Sequence, residues 1–228
     1  MASRCSTSAG LARETHGNVA TLIFTLFGIF MHQSSLEKMR SFRERHLRGR
    51  ESESLSILDV GAMDVNGSYR PIFDVPGWHY RGADLEPGRN VDIVLSDPYR
   101  FAGVASSSLD LVISGQALEH MPRFWMFFLE VFRCLKPGGL CCIIAPAGGY
   151  EHRYPVDCWR FYPDGMIAAA EFARLQPVEV FTDWTPREGY PDDSKVWQDT
   201  VLIARKPVVG SARAARLALR AWMMRALR

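Results

Sequence analysis

Between Ser56 and Pro146 the chain is built from short apolar runs separated by Gly, Pro, Asn and Asp. Ser56–Val60 (SILDV), His79–Asp84, Val91–Leu95, Asp110–Ser114 and Leu140–Pro146 have the length and composition of short buried strands. Between the last two, Pro122–Leu135 repeats its apolar positions at helical spacing, starts with Pro and is closed by Lys136-Pro137-Gly138-Gly139. Pro163–Phe172 predicts a second helix, and Gln176–Trp184 and Val196–Arg205 predict two late strands. Central apolar strands alternating with helices predict an α/β fold in one domain, a doubly wound, mostly parallel sheet. Upstream, Ser34-Ser35-Leu36-Glu37 resembles a capping box, with Leu36, Met39 and Phe42 following at helical spacing toward Gly49.

The two ends read differently. Asn18–His32 (NVATLIFTLFGIFMH) is the most apolar stretch, but as a helix it spans roughly 22 Å, short of a ~30 Å hydrocarbon core. A helix packed on the body, a membrane-touching segment and a signal lacking an A-x-A-like site are the open readings, and Met31 is an alternative start. Ser211–Arg228 is an amphipathic helix, with Ala215, Ala218, Leu219, Trp222 and Ala226 on one face and Arg213, Arg216 and Arg220 opposite. The expected organisation is therefore an N-terminal hydrophobic and basic extension (1–50), a central domain (51–207) and a basic C-terminal helix (208–228).

Charge sharpens this division. Residues 1–50 carry a net +5, residues 51–204 a net −10 and residues 205–228 a net +7, within a whole-chain +2. An acidic body with basic ends argues against nucleic acid as a partner. The ends suit peripheral contact with the cytoplasmic face of a membrane, on a protein otherwise expected in the cytoplasm. A composition of 47% hydrophobic residues, with 13 Phe, 6 Trp and 7 Tyr, excludes global disorder. Five cysteines without a C-x-x-C pair suggest neither a zinc cage nor a disulfide framework. Cys141 and Cys142 lie in a buried run, so a nucleophilic thiol is not expected.

Candidate chemistry lies at the carboxyl ends of the strands, where open α/β sheets bind ligands. The turn after the first strand contains Gly61, Ala62, Met63 and Asp64, and the second strand ends at Asp84, where an acid can accept two ribose hydroxyls. G-x-G-x-x-G is absent, and an Asp in the turn repels a pyrophosphate, which disfavours a dinucleotide. In order, LDVGAMDVNGSYR, GADLEPGRNVDIVLSDP, SLDLVISGQALEH and FRCLKPGGLCCIIAP resemble class I S-adenosylmethionine-dependent methyltransferases. The resemblance covers about Ser56 to Pro207 and implies a seven-stranded Rossmann-like sheet whose last strand is antiparallel. It implies S-adenosylmethionine as cofactor, with Gly61, Ala62 and Met63 beside the methionine part and Asp59 ordering the turn. Asp84, with Leu85 next to it, would hold the ribose, Asp97 the adenine amino group, and Gln116 would line the opposite side. Met63 stands where the family has a second glycine.

The loop after the fifth strand, EHRYPVDCWRFYPDG from Glu151, is similar to methyltransferases of glycan and polysaccharide biosynthesis. Hydroxyl methylation needs a base, and His152 or His120 fits, with Asp157 orienting a histidine or accepting a sugar hydroxyl. Tyr154 and Trp159 suit stacking on a sugar, and Arg160 suits an anionic group. Trp159 plugging the loop onto the body, and Arg160 pairing with Asp157, are the structural alternatives. Gly148 and Gly149 suggest a mobile loop. No metal is expected, Asp192-Asp193 reading as a solvated pair. The expected activity is O-methylation of a sugar hydroxyl on a glycan or glycolipid precursor. The alternatives are a small-metabolite or lipid methyltransferase and a non-catalytic partner subunit.

Overall fold

The computed structural model describes residues 33–65, 67–184, 190, 194–210, 216, 219–220 and 222–224. Seven strands form one sheet: β1 (Ser56–Val60), β2 (His79–Asp84), β3 (Ile93–Val94), β4 (Leu109–Gly115), β5 (Leu135–Pro146), β6 (Gln176–Thr182) and β7 (Asp199–Arg205). Their spatial order is β3-β2-β1-β4-β5-β7-β6. The pairs β3–β2, β2–β1, β1–β4 and β4–β5 are parallel, and β7 runs antiparallel to both β5 and β6. The chain thus moves outward from β1 to β3, then returns to β4, leaving a switch point between the carboxyl ends of β1 and β4. The doubly wound α/β reading and the antiparallel last strand are both observed.

Period-2 alternation divides each central strand between two cores. Leu58, Val60, Val112, Cys141, Ile143, Leu202 and Ala204 face the layer containing α2 (Phe124–Cys134) and α3 (Pro163–Phe172). Ile57, Leu111, Ile113, Cys142, Ile144, Val201 and Ile203 face the layer containing α1 (Gln33–His46), whose Met39 and Phe42 are fully buried. Although the sequence groups it with the N-terminal extension, α1 packs into the body. Arg45 donates to both carboxylate oxygens of Glu179, at 2.8 and 2.9 Å, tying α1 to the edge strand β6.

Several expected boundaries move for physical reasons. The residues read as a capping box lie inside α1 and serve tertiary contacts. Ser34 Oγ donates to Asp199 at 2.8 Å, and Ser35 Oγ meets the Tyr69 hydroxyl at 2.6 Å. The helix expected to reach Leu135 stops at Cys134, because Leu135 already pairs with Leu109 and starts β5. The expected Val91–Leu95 strand shrinks to two residues at the sheet edge, and Val94 there is exposed. Ser194–Trp197 forms one helical turn, α4, before β7 begins at Asp199.

Asn18–His32 and Asp192-Asp193 lie outside the described residues, as do Ala215, Ala218 and Ala226 of the tail. In the rest of the tail, Arg216, Leu219, Arg220 and Trp222–Met224 are helical. Leu219, Trp222 and Met223 are exposed, while Met224 touches the core. Among the described residues no helix is long and apolar enough to cross a membrane.

Gly115, at the end of β4, admits the fully buried Tyr69. A Cβ there would lie 1.9 Å from the Tyr69 hydroxyl oxygen and 2.7 Å from its ring. Gly115→Ala is therefore expected to lower stability by about 1–3 kcal/mol in urea denaturation. In a Tyr69→Leu background that added cost should shrink, since the clashing ring is gone.

Candidate active site

The turn after β1 is clamped onto the end of β2 by backbone donors and carboxylates. Gly61 and Ala62 both donate to the Ala83 carbonyl, at 2.9 and 3.1 Å. One oxygen of Asp84 accepts the Met63 N–H at 2.9 Å and the other accepts the Leu85 N–H at 2.7 Å. Asp64 accepts the Gly67 N–H at 2.7 Å and pairs with Arg89 at 2.9 Å. The Met63 side chain lies against Gly88, 3.3 Å from where a Cβ would stand. The residue in place of the second glycine therefore fills space toward the β2–β3 loop. Gly61 has φ +78°, and a Cβ on it would come within 2.6 Å of the Ala117 Cβ, so glycine is required where β1 meets the end of β4.

Asp59 does not order this turn as expected. It is 2% exposed, one of its oxygens accepts from the Tyr80 hydroxyl, and the other receives no hydrogen bond. Burial pushes its carboxyl up to about 7, against the lowering effect of Tyr80. Turn ordering falls instead to Asp84 and Asp64, whose carboxylates reach the turn amides. Asp97 accepts the Tyr99 N–H at 2.8 Å around Pro98, a local turn cap. Gln116 donates its side-chain amide to the buried Asp199 at 2.9 Å. Ala62 is buried and Leu85 is exposed at the rim.

These residues fit a ligand bearing vicinal hydroxyls. Each Asp84 oxygen uses one lone pair on a backbone amide and keeps another for a hydroxyl donor. The crevice mouth carries carboxylates from Asp84 and Asp64, and Asp64 already takes up the positive charge of Arg89.

Across the mouth, the loop after β5 folds over the end of β4. Asp157, 3% exposed, is held by Arg160 at 2.6 and 2.8 Å and accepts the His152 backbone N–H at 2.7 Å. The hydrogen-bonded Arg160 guanidinium keeps the Asp157 carboxyl well below the usual carboxylate range. Asp157 thus bonds the backbone of His152. Arg160 also donates to the Tyr150 carbonyl and lies over the Trp197 ring, so the pairing alternative holds for Arg160. Trp159 donates to the Met121 carbonyl at 3.1 Å and meets Phe124 edge-on, plugging the loop onto the body. Tyr154 is 66% exposed. Gly149 serves close approach to the body: with φ +96°, its Cβ would strike the Trp197 ring at 2.3 Å.

The two candidate bases meet. The His120 and His152 rings are 4.9 Å apart, edge to face, and Trp197 packs against His152. His120 Nδ1 lies 2.6 Å from the Val156 carbonyl oxygen, so Nδ1–H donates and Nε2 is left facing Glu119. Sequence reasoning passed over Glu119, which is 0% exposed in the short 3-10 turn Leu118–His120 directly beyond β4. An acid-histidine pair immediately after a central strand was the available signal. Trp197 and Asp199 were also missed, because only the tertiary fold brings them to the site.

Residues 74–143 match the family model of a methyltransferase domain. A protein of Mycobacterium avium (strain 104) named an uncharacterized methyltransferase is 29% identical over 141 residues, covering 55% of this chain and 53% of that protein. The chain thus spans about half the length of the curated relatives it matches. Among solved structures, Burkholderia thailandensis 1,6-didemethyltoxoflavin-N1-methyltransferase, with S-adenosylhomocysteine bound, is similar at TM-score 0.59 and 16% identity. The match covers 89% of this chain and 94% of that one. The [4+2]-cyclase SpnF is similar at TM-score 0.60 and 15% identity, covering 84% and 94%. The fold is that of the Rossmann-like methyltransferases, a single α/β domain.

The raised carboxyl of Asp59 has a consequence for stability. Between about pH 4 and 7 the native state holds a proton there that the unfolded chain has lost. Stability from this group is full below about pH 4 and is lost as pH rises through about 7. Asp59→Asn should flatten the decline in urea-unfolding stability between pH 5 and 8 relative to the parent protein.

Proposed function

We propose that this protein is an S-adenosylmethionine-dependent methyltransferase that transfers a methyl group to a hydroxyl, on a sugar of a glycan or glycolipid precursor. The observation that carries the reading is Asp84. It stands at the carboxyl end of β2, inside the matched methyltransferase domain, and fixes the β1 turn while keeping lone pairs for a ribose. Fold likeness alone would not suffice, since the similar SpnF is named a cyclase. The acceptor class rests on the loop after β5, which presents exposed Tyr150 and Tyr154 beside two histidines. Aromatic faces of this kind stack on the apolar faces of sugar rings.

The cofactor supplies an electrophilic methyl on a sulfonium. The chain's own residues bind, orient and manage a proton. Asp84 and the Gly61–Met63 backbone hold the ligand at the switch point. With the cofactor supplying the methyl group, the proton released from the acceptor hydroxyl would pass to the imidazole of His120 or His152. His120 and His152 sit where the strand-end crevice meets the acceptor loop, and Asp157 fixes the backbone that carries His152. The basic tail, with Leu219, Trp222 and Met223 exposed beside Arg216 and Arg220, supports peripheral binding to an anionic membrane surface on the cytoplasmic side.

Calorimetric titration of S-adenosylhomocysteine should show one site. Asp84→Ala should weaken it about 10–100-fold, the loss of charge-assisted hydrogen bonds. Intact binding in the variant would overturn the assignment of Asp84. Deleting residues 211–228 should reduce sedimentation with anionic vesicles, and unchanged binding would remove the membrane part. Radiolabelled methyl transfer to glycan acceptors, compared with small metabolites, tests the acceptor class.

A further inference from the structure

We propose that Glu119, His120 and His152 bind one divalent transition-metal ion at the carboxyl end of β4, beneath the acceptor loop. One ligand atom from each of the three lies within 4.8 Å of the others. The Glu119 side chain is fully buried, and neither carboxylate oxygen accepts a hydrogen bond from another residue. A buried carboxyl without donors must hold a proton or face a cation, because desolvation penalises it otherwise. Among the described residues no lysine or arginine is free to pair with it, and its nearest ring nitrogen, His120 Nε2, stands 3.7 Å away, beyond hydrogen-bond distance. Arg160, the basic group that acts on it, is committed to Asp157, and Asp199 and Asp157 add negative charge.

His120 completes the argument. Because its Nδ1–H is given to the Val156 carbonyl, Nε2 is the ring nitrogen left to face Glu119, 3.7 Å from Oε1. Two groups able to ligate a cation, facing one another across that gap, leave room for an ion between them. A histidine that donates one ring N–H to a backbone carbonyl and offers the other nitrogen has the arrangement of a metal ligand. His152 closes the third side from the loop, its backbone pinned by Asp157.

Two imidazoles and one carboxylate suit Zn²⁺, Mn²⁺, Fe²⁺ or Co²⁺ rather than Ca²⁺ or Mg²⁺, which take oxygen shells. Ligand atoms around a tetrahedral zinc stand about 3.3 Å apart, so the loop-borne His152 is the group that moves inward on binding. Three protein ligands leave a position for water or an acceptor oxygen. On the methyl-transfer reading, and resting on it, an ion there would lower the pKa of an acceptor hydroxyl and so replace the imidazole as the activating group. Binding of the ion itself does not depend on that reading.

The test uses the full chain, freed of metal with a chelator. Zn²⁺ is titrated calorimetrically, and Co²⁺ is followed by its visible absorption. One site is expected, with Glu119→Gln, His120→Ala and His152→Ala each weakening it at least about tenfold. His79→Ala and Cys158→Ser should leave it unchanged. If Glu119→Gln fails to fold, His152→Ala decides, since that residue sits on the partly exposed loop. Absence of zinc binding would mean that Glu119 holds a proton instead, and would overturn the proposal. Undiminished binding in the histidine variants, or loss in Cys158→Ser, would do the same. S-adenosylhomocysteine titrated separately distinguishes the two readings: zinc without the nucleoside ligand removes methyl transfer, and the converse removes the metal site.

Discussion

The carboxylate of Asp84 is the interaction on which the ligand-bearing edge of the sheet depends. Strand β2 is short and only half covered, yet its last residue reaches back to the Met63 amide and so fixes the turn after β1. The approach is possible because Gly82 lets the Asn90 backbone come so near that a Cβ would lie 1.9 Å from its carbonyl oxygen. Asn90 then donates its side-chain amide to the Ala62 carbonyl at 2.7 Å, closing the turn from the other side. An acid bonded to backbone amides is preorganised, so it presents acceptors at a fixed place without reorganising when a ligand arrives. The geometry of the switch point follows from that one side chain and two glycines.

The acceptor side is built on a second carboxylate, Asp157, with the opposite strategy. Its guanidinium partner neutralises it, and together they form a rigid post from which His152 hangs. Trp197, just ahead of β7, supplies the floor under His152, Tyr150 and Arg160. The loop thus takes its shape from β7, a strand paired antiparallel with β5, so the last element of the sheet positions the groups nearest the acceptor. A sheet of parallel strands alone would leave this loop without that support.

Much of this was legible in the chain. β1, β2 and β4 could be read because their alternating apolar residues and flanking turn residues are local signals, and the acid at Asp84 follows from its place at a strand end. The boundaries that moved were decided by partners distant in sequence. Ser34 and Ser35 carry the residue types of a cap, but their hydroxyls are claimed by Asp199 and Tyr69, more than thirty positions away. The glycines of the β5 loop suggest mobility on composition, whereas in the fold Gly149 makes room for the Trp197 ring. Arg160 and Trp159 were read as open between substrate contact and structure, since three-residue spacing allows Arg160–Asp157 pairing but does not require it. Glu119 was passed over because no sequence pattern reveals that a residue beside an exposed-looking histidine is wholly buried.

Among the described residues, the buried carboxyls of Asp199, Asp59 and Glu119 differ in how their oxygens are satisfied. Asp199 is satisfied by the Ser34 hydroxyl and the Gln116 amide, with Lys38 3.8 Å away. Asp59 is half satisfied by Tyr80. Glu119 receives nothing from another residue's donor, although hydroxyls, amides and guanidinium groups are all used within the same layer. A fold that satisfies Asp199 so fully has the means to satisfy Glu119 as well, for example by a serine in place of an alanine nearby. Packing the carboxyl instead against an imidazole whose free nitrogen is an acceptor keeps the pair short of one positive charge. Structural ion pairs are built complete, whereas ligand sites are built with the ligand's share left out. The deficit at Glu119 and His120, at the carboxyl end of the central strand and under the loop after β5, is the feature on which the proposed metal site rests.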